Sequence, residues 1–191
     1  MFTRNRIFAV VVLCVFSTLD NAAEPGPTSG HPTGPNLGHP ISAADLAPWD
    51  ITVFPSGRGL PAGSGTAAKG APVFATYCAA CHGDKGQGGL GPVVVSDRKR
   101  EGIDEGTTTI ANFWPYATTL FDYIRRAMPW QSPRTMTDDQ AYALTAFILA
   151  SNKLIDPDFV IDAKSLPTVR MPNRDGFLDR FPKLVPSDPP R

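Results

Sequence analysis

The sequence has no excess of charge of either sign: 18 basic residues stand against 18 acidic ones, and only 19% of the 191 residues are charged. That balance removes the electrostatic case for binding nucleic acid, whose phosphates are held by clustered Lys and Arg. Cysteine is scarce too. Three in the whole chain are too few for a disulfide framework. Long apolar runs are missing: the run at residues 7–16 is ten residues long, short of the roughly 18 that a membrane-spanning helix needs. No internal repeat and no hairpin with alternating strands can be read. At 42% hydrophobic residues the chain can still bury a core, and its length suits one domain with extensions.

Proline and glycine are what it has in quantity, 20 and 17 respectively. Proline sits poorly inside helices and central strands, so such a composition demands long irregular stretches. Those stretches lie at the two ends.

Residues 1–23 have the three parts of a secretory signal. Arg4 and Arg6 open it, an apolar run follows, and Ala22 and Ala23 offer small residues for cleavage. Cys14 lies within the run behind Leu13, where lipoprotein processing wants a small residue, so lipidation is not expected. Cleavage would leave one net negative charge and two cysteines, Cys78 and Cys81. The expected product is a soluble periplasmic protein with no membrane span.

Residues 24–65 hold eight prolines and eight glycines and read as a leader that becomes a docking arm. From residue 41 onward Trp49, Ile51, Val53, Phe54 and Leu60 carry more apolar surface than a flexible linker would expose. Residues 66–151 form the expected domain, and residues 152–191, with seven prolines, read as a tail. Three helices are predicted in the middle segment. The first covers residues 69–78, with Gly70, Phe74 and Cys78 on one face; Pro72 argues against an earlier start. The second covers residues 119–127, opened by a Thr119/Asp122 capping box and ended by Pro129. The third covers residues 138–150, opened by Thr137/Gln140, with Ala141, Leu144 and Ile148 along one face. The fold class is all-α.

Cys78-Ala79-Ala80-Cys81-His82 is the informative stretch. C-x-x-C-H attaches a c-type haem: two cysteines on one helical turn form thioethers with the two vinyl groups, and the next histidine supplies an imidazole to the iron. A redox dithiol would want a βαβ context, which is absent. Structural zinc needs four ligands, and Cys78, Cys81 and His82 supply three, while His31 and His39 lie in the leader. One such motif implies one covalent haem c.

The iron of an electron carrier takes a sixth ligand, usually methionine. Met128 precedes Pro129 after an aromatic-rich helix, where an ordered loop can hold it. Met136 directly precedes the capping Thr137, the place of a hydrophobic staple, and Met171 lies in the Pro-rich tail. The expected axial pair is His82 and Met128. A ligating histidine donates its other ring N–H to a fixed acceptor, and a carbonyl near Pro92, on the Gly-rich loop ten residues later, is the candidate. Phe113, Trp114, Tyr116, Phe121 and Tyr123 could wall the porphyrin or pack the core. Arg125 and Arg126 could meet haem propionates, dock an acidic partner, or face solvent.

Through Cys78–His82, Gly91-Pro92, Met128-Pro129 and the closing helix, residues 69–151 resemble a class I cytochrome c. That resemblance implies three main helices around the haem, with the first and last crossing at a glycine and aromatic residues. Gly70 and Phe74 match the first helix, Leu144 and Phe147 the last, and Pro72 departs from the pattern. A narrower resemblance spans more of the chain. Trp49 to Val53, Gly59 to Pro61, Gly63 to Gly65, Trp114 to Leu120, Ile124 to Pro129 and Met171 to Phe177 are similar to the cytochrome subunits of sulfite and sulfane dehydrogenases. It implies a role as electron acceptor for a molybdenum-containing subunit, with a downstream cytochrome or oxidase as the next partner. The other reading is a general carrier between respiratory complexes. In either case no catalytic residue is expected, because a six-coordinate iron leaves no position for a substrate.

Overall fold

The computed structural model describes residues 40–96 and 108–178, and from Ser42 onward they belong to one unit. The expected export signal, the leader through residue 39 and residues 179–191 lie outside the described residues. In chain order the elements are α1 (Ala43–Leu46), β1 (Ser64–Gly65), α2 (Ala67–Tyr77), α3 (Ala79–His82), α4 (Ile110–Phe113), α5 (Ala117–Ala127), α6 (Asp138–Ser151), β2 (Ile161–Asp162) and a 3-10 turn at Leu166–Thr168. The architecture is all-α apart from β1 and β2, which pair antiparallel with Ser64 opposite Asp162 and Gly65 opposite Ile161.

Helix α6 is the centre of the core. Its N-terminus carries the expected capping box: the Gln140 N–H donates to Thr137 Oγ1 (3.2 Å), and the Thr137 N–H to Gln140 Oε1 (2.9 Å). Ala141, Leu144, Ala146, Ile148 and Leu149 along it are buried. Helix α2 crosses α6 at Gly70, where an added Cβ would collide with the Ala143 carbonyl and the Phe147 side chain. Glycine is required there by the close approach of the two helices, not by its backbone freedom. One turn on, the rings of Phe74 and Phe147 meet at 4.9 Å between centroids.

Two helix starts differ from the sequence expectation. Helix α2 begins at Ala67, with Thr66 Oγ1 accepting from the Lys69 N–H (3.3 Å), and it carries Pro72 in its interior. An interior proline costs roughly 3 kcal/mol; here the burial of the Gly70–Phe74 face against α6 offsets it. Helix α5 begins at Ala117, and the Thr119/Asp122 capping box does not form. Its start is set by tertiary contacts, since Tyr116 bridges to Arg170 and Ala117 and Thr118 are buried. Asp122 instead accepts from the Arg126 guanidinium (2.9 and 3.1 Å) and from the Val53 N–H (3.3 Å).

The Pro-rich flanks pack onto the helices. Val53 and Leu60 lie against the core, the Ser64 N–H donates to Asp139 Oδ1 (2.8 Å), and the Tyr142 hydroxyl donates to the Pro61 carbonyl (2.8 Å). Beyond Ser151, in the segment read as a tail, Ile161, Leu166, Val169, Met171 and Asn173 are all buried. Asn173 donates to the Phe113 carbonyl (2.5 Å), and the Arg174 guanidinium stacks 4.4 Å from the Tyr116 ring centroid. Proline denies these flanks helical periodicity but does not prevent single apolar side chains from reaching the core.

Candidate haem site

The C-x-x-C-H stretch begins where α2 ends. The Cys78 N–H closes α2 on Phe74, and the Cys78 carbonyl then accepts from both Cys81 and His82 (3.1 and 2.9 Å). That single turn, continued as α3, sets the two cysteines three residues apart on one helical face with the imidazole following. Both thiols are free and half-buried. Burial, reinforced by the neighbouring Cys81, pushes the Cys78 thiol up to about 11, so in the haem-free chain it is a neutral thiol.

The loop after α3 folds back beneath the imidazole. The Gly88 N–H donates to the His82 carbonyl (2.7 Å) and the Gly91 N–H to the Cys81 carbonyl (2.8 Å). A Cβ at Gly91 would stand 3.0 Å from His82 Cε1, a tight contact that would push on the ring, so glycine here lets the loop lie close beneath the imidazole. The return brings the Pro92 carbonyl oxygen 2.7 Å from His82 Nδ1. A carbonyl only accepts, so Nδ1 carries the hydrogen and the Nε2 lone pair is left for a metal. Asn152, at the end of α6, holds the far side of the loop, donating to the Val94 carbonyl (2.9 Å) and accepting from the Ser96 N–H (3.0 Å).

Cys78, Cys81 and His82 open onto a cavity of about 670 Å³. Its walls are mostly apolar and include Phe74, Ile110, Phe113, Trp114, Leu120, Ile124, Leu144 and Ile148. A size of several hundred Å³ with an apolar lining and a few convergent polar groups is that of a cofactor site. Two thiols on one turn, a tautomerically fixed imidazole and an apolar slot fit haem c.

Met128 and Met136 both line this cavity, whereas Met171 is buried elsewhere in the core. Met136 also belongs to the hydrophobic core and is 9% exposed, while Met128 lies outside that core, at the C-terminal cap of α5. Of the five aromatic residues named from the sequence, Phe113, Trp114 and Tyr123 line the cavity. Phe121 stacks on Tyr142 at 4.4 Å within the core, and Tyr116 is covered by Arg174. Neither Arg125 nor Arg126 lines the cavity. Arg125 pairs with Asp138 (2.7 Å) and Arg126 with Asp122, so both guanidinium groups are held by carboxylates of this chain. Tyr77, Leu90, Val94 and Trp130 also line the cavity; they sit at a helix end or in loops, where no periodicity marks them. Leu90 and Trp130 are 94% and 81% exposed, which places them at its mouth.

The family model for cytochrome c oxidase, cbb3-type, subunit III matches residues 65–148. Among solved structures, the crystal structure of the sulfane dehydrogenase SoxCD from Paracoccus pantotrophus contains a chain that is 38% identical, with a TM-score of 0.68. That match covers 78% of the present chain and 74% of the other. A search of the curated proteins returns no match. Among the described residues no helix is long and apolar enough to cross a membrane.

Proposed function

The chain belongs to the c-type cytochromes, a family of covalent haem c and electron transfer, and on that premise we propose that it is an exported, periplasmic monohaem carrier serving a sulfur-oxidising dehydrogenase. In this reading it accepts electrons from a molybdenum-containing sulfite or sulfane dehydrogenase subunit and passes them to a downstream cytochrome or oxidase. The observation that carries the partner is the 38% identity, over most of both chains, to part of a sulfane dehydrogenase. The match includes more of the chain than the haem-binding segment alone.

Cys78 and Cys81 would hold the haem covalently, and His82 and Met128 would ligate its iron. Bound there, haem c supplies a one-electron iron couple. The Pro92 carbonyl fixes the orientation and basicity of the His82 ring through Nδ1. Between the two methionines of the cavity, Met128 has the thioether not committed to the hydrophobic core, and such a soft ligand favours the reduced metal. Phe113, Trp114 and Leu120 line the slot with apolar surface, which would keep water from a haem bound there. Exposed Leu90 and Trp130 at the mouth offer an apolar contact zone for a redox partner.

The test is reduction of the oxidised holoprotein by the molybdenum subunit from the same source, with sulfite or a sulfane-sulfur compound as donor. The spectrum of the reduced cytochrome should appear within turnover time, and the two proteins should co-purify. Reduction by unrelated respiratory donors but not by this enzyme would assign a general carrier instead.

A further inference from the structure

The segment that bears Met128 runs from the end of α5 to the start of α6, and it is fastened at two levels. At its base the Arg125 guanidinium of α5 donates to Asp138 of α6 (2.7 Å), joining the helices on either side. Its crown, residues 130–135, is exposed. The bonds from the Ser132 N–H to the Pro129 carbonyl (2.9 Å) and from the Thr135 hydroxyl to the Ser132 carbonyl (2.8 Å) stay within the loop. Arg134 reaches out of it. Its guanidinium donates to the Pro48 carbonyl (2.6 Å) and lies 5.5 Å from the Trp49 ring centroid. Pro48 and Trp49 belong to the N-terminal arm, which is itself tied to α5 by the Val53 N–H to Asp122. Arg134 also has a backbone φ of +65°. For a side chain with a Cβ that conformation is unfavourable, so the contacts made by its guanidinium offset a local cost.

We propose that Arg134 is a positioning residue for the sixth iron ligand, holding the Met128 loop against the Pro48–Trp49 arm so that the thioether stays on the metal. The proposal rests on the reading of Met128 as that ligand. The arm then sets how readily an incoming ligand displaces the methionine, although it touches neither iron nor sulfur. Loosening the crown raises the population in which Met128 has left, and the apparent affinity for a competing ligand rises by the same factor.

The experiment is a titration of the full-length ferric holoprotein with imidazole, following loss of the weak sulfur-to-iron absorption band. Arg134→Gly and Trp49→Ala should each bind imidazole several-fold, roughly three- to tenfold, more tightly than the wild type, the equilibrium worth of one exposed charge-assisted contact. Arg134→Lys keeps a donor for the Pro48 carbonyl and should stay near the wild-type value. Glycine relieves the φ of +65°, so a purely structural role predicts unchanged or raised thermal stability with no change in imidazole affinity. That result overturns the proposal, as does wild-type affinity in Trp49→Ala. Met128→Ala is the separate control: a sulfur-to-iron band that survives it refutes the ligand reading itself, and the proposal falls with it.

Discussion

The hydroxyl of Tyr142, buried on α6, donates a 2.8 Å hydrogen bond to the carbonyl of Pro61 in the N-terminal arm. The same side chain packs its ring on Phe121 of α5, so one residue joins the arm and two helices.

Burial, together with the nearby Asp138 and Asp162 carboxylates, pushes the Tyr142 phenol from its ordinary value near 10 up to about 12. The neutral phenol is favoured by the fold, so its contribution is complete below the unfolded-state value and is lost as pH rises through the folded one. Between pH 10 and 12 the unfolded chain releases this proton while the native state keeps it, and stability must fall. Two pH units of difference correspond to about 2–3 kcal/mol. Denaturant unfolding at intervals across that range should show the decline, and Tyr142→Phe should flatten it while losing about 1 kcal/mol at neutral pH for the missing hydrogen bond. An equally steep decline in the Phe variant would assign the effect to other groups.

Gly70→Ala tests the crossing of α2 and α6. By helix propensity alone, alanine would stabilise the interior of α2 by about 0.5–1 kcal/mol. The added Cβ instead meets the Ala143 backbone, which cannot yield as a flexible side-chain tip does. Overpacking of this kind costs roughly 1–3 kcal/mol, so the collision wins. Urea unfolding of the holoprotein should show a lowered midpoint. A raised midpoint would mean that the helices can separate without loss.

Met128→Ala should abolish the sulfur-to-iron band and lower the reduction potential, because a thioether ligand favours the reduced iron. Met136→Ala should leave band and potential nearly unchanged but cost about 2–4 kcal/mol of stability, as for other large-to-small changes at core positions. Potentiometry and unfolding on the two variants separate the roles. The reverse pattern would exchange the assignments of the two methionines.

Much of the helical framework was legible because it is written locally. The Thr137/Gln140 capping box opens α6 where the sequence predicts, and Gly70 and Phe74 face α6 from α2 at the expected spacing. The departures occur where a distant partner outweighs a local preference. Pro72 stays inside α2 because the buried face continues through it, and α5 starts early because Tyr116 is held by Arg170. The inward packing of Ile161, Leu166 and Met171 could not be read, since isolated apolar residues among prolines carry no period.

By itself the sequence determined that two thiols and an imidazole stand together. Cys78, Cys81 and His82 lie within one helical turn, so no distant contact is needed to bring two thiols and an imidazole together. Only the tertiary structure decided which methionines share a cavity with that imidazole and which belongs to the core instead, and that Arg125 of α5 is paired with Asp138 of α6. It also decided that the Pro-rich arm is clasped by Asp122, Arg134 and Tyr142. These are contacts between residues far apart in the chain, and each depends on how α5 and α6 are placed, which no window of sequence contains.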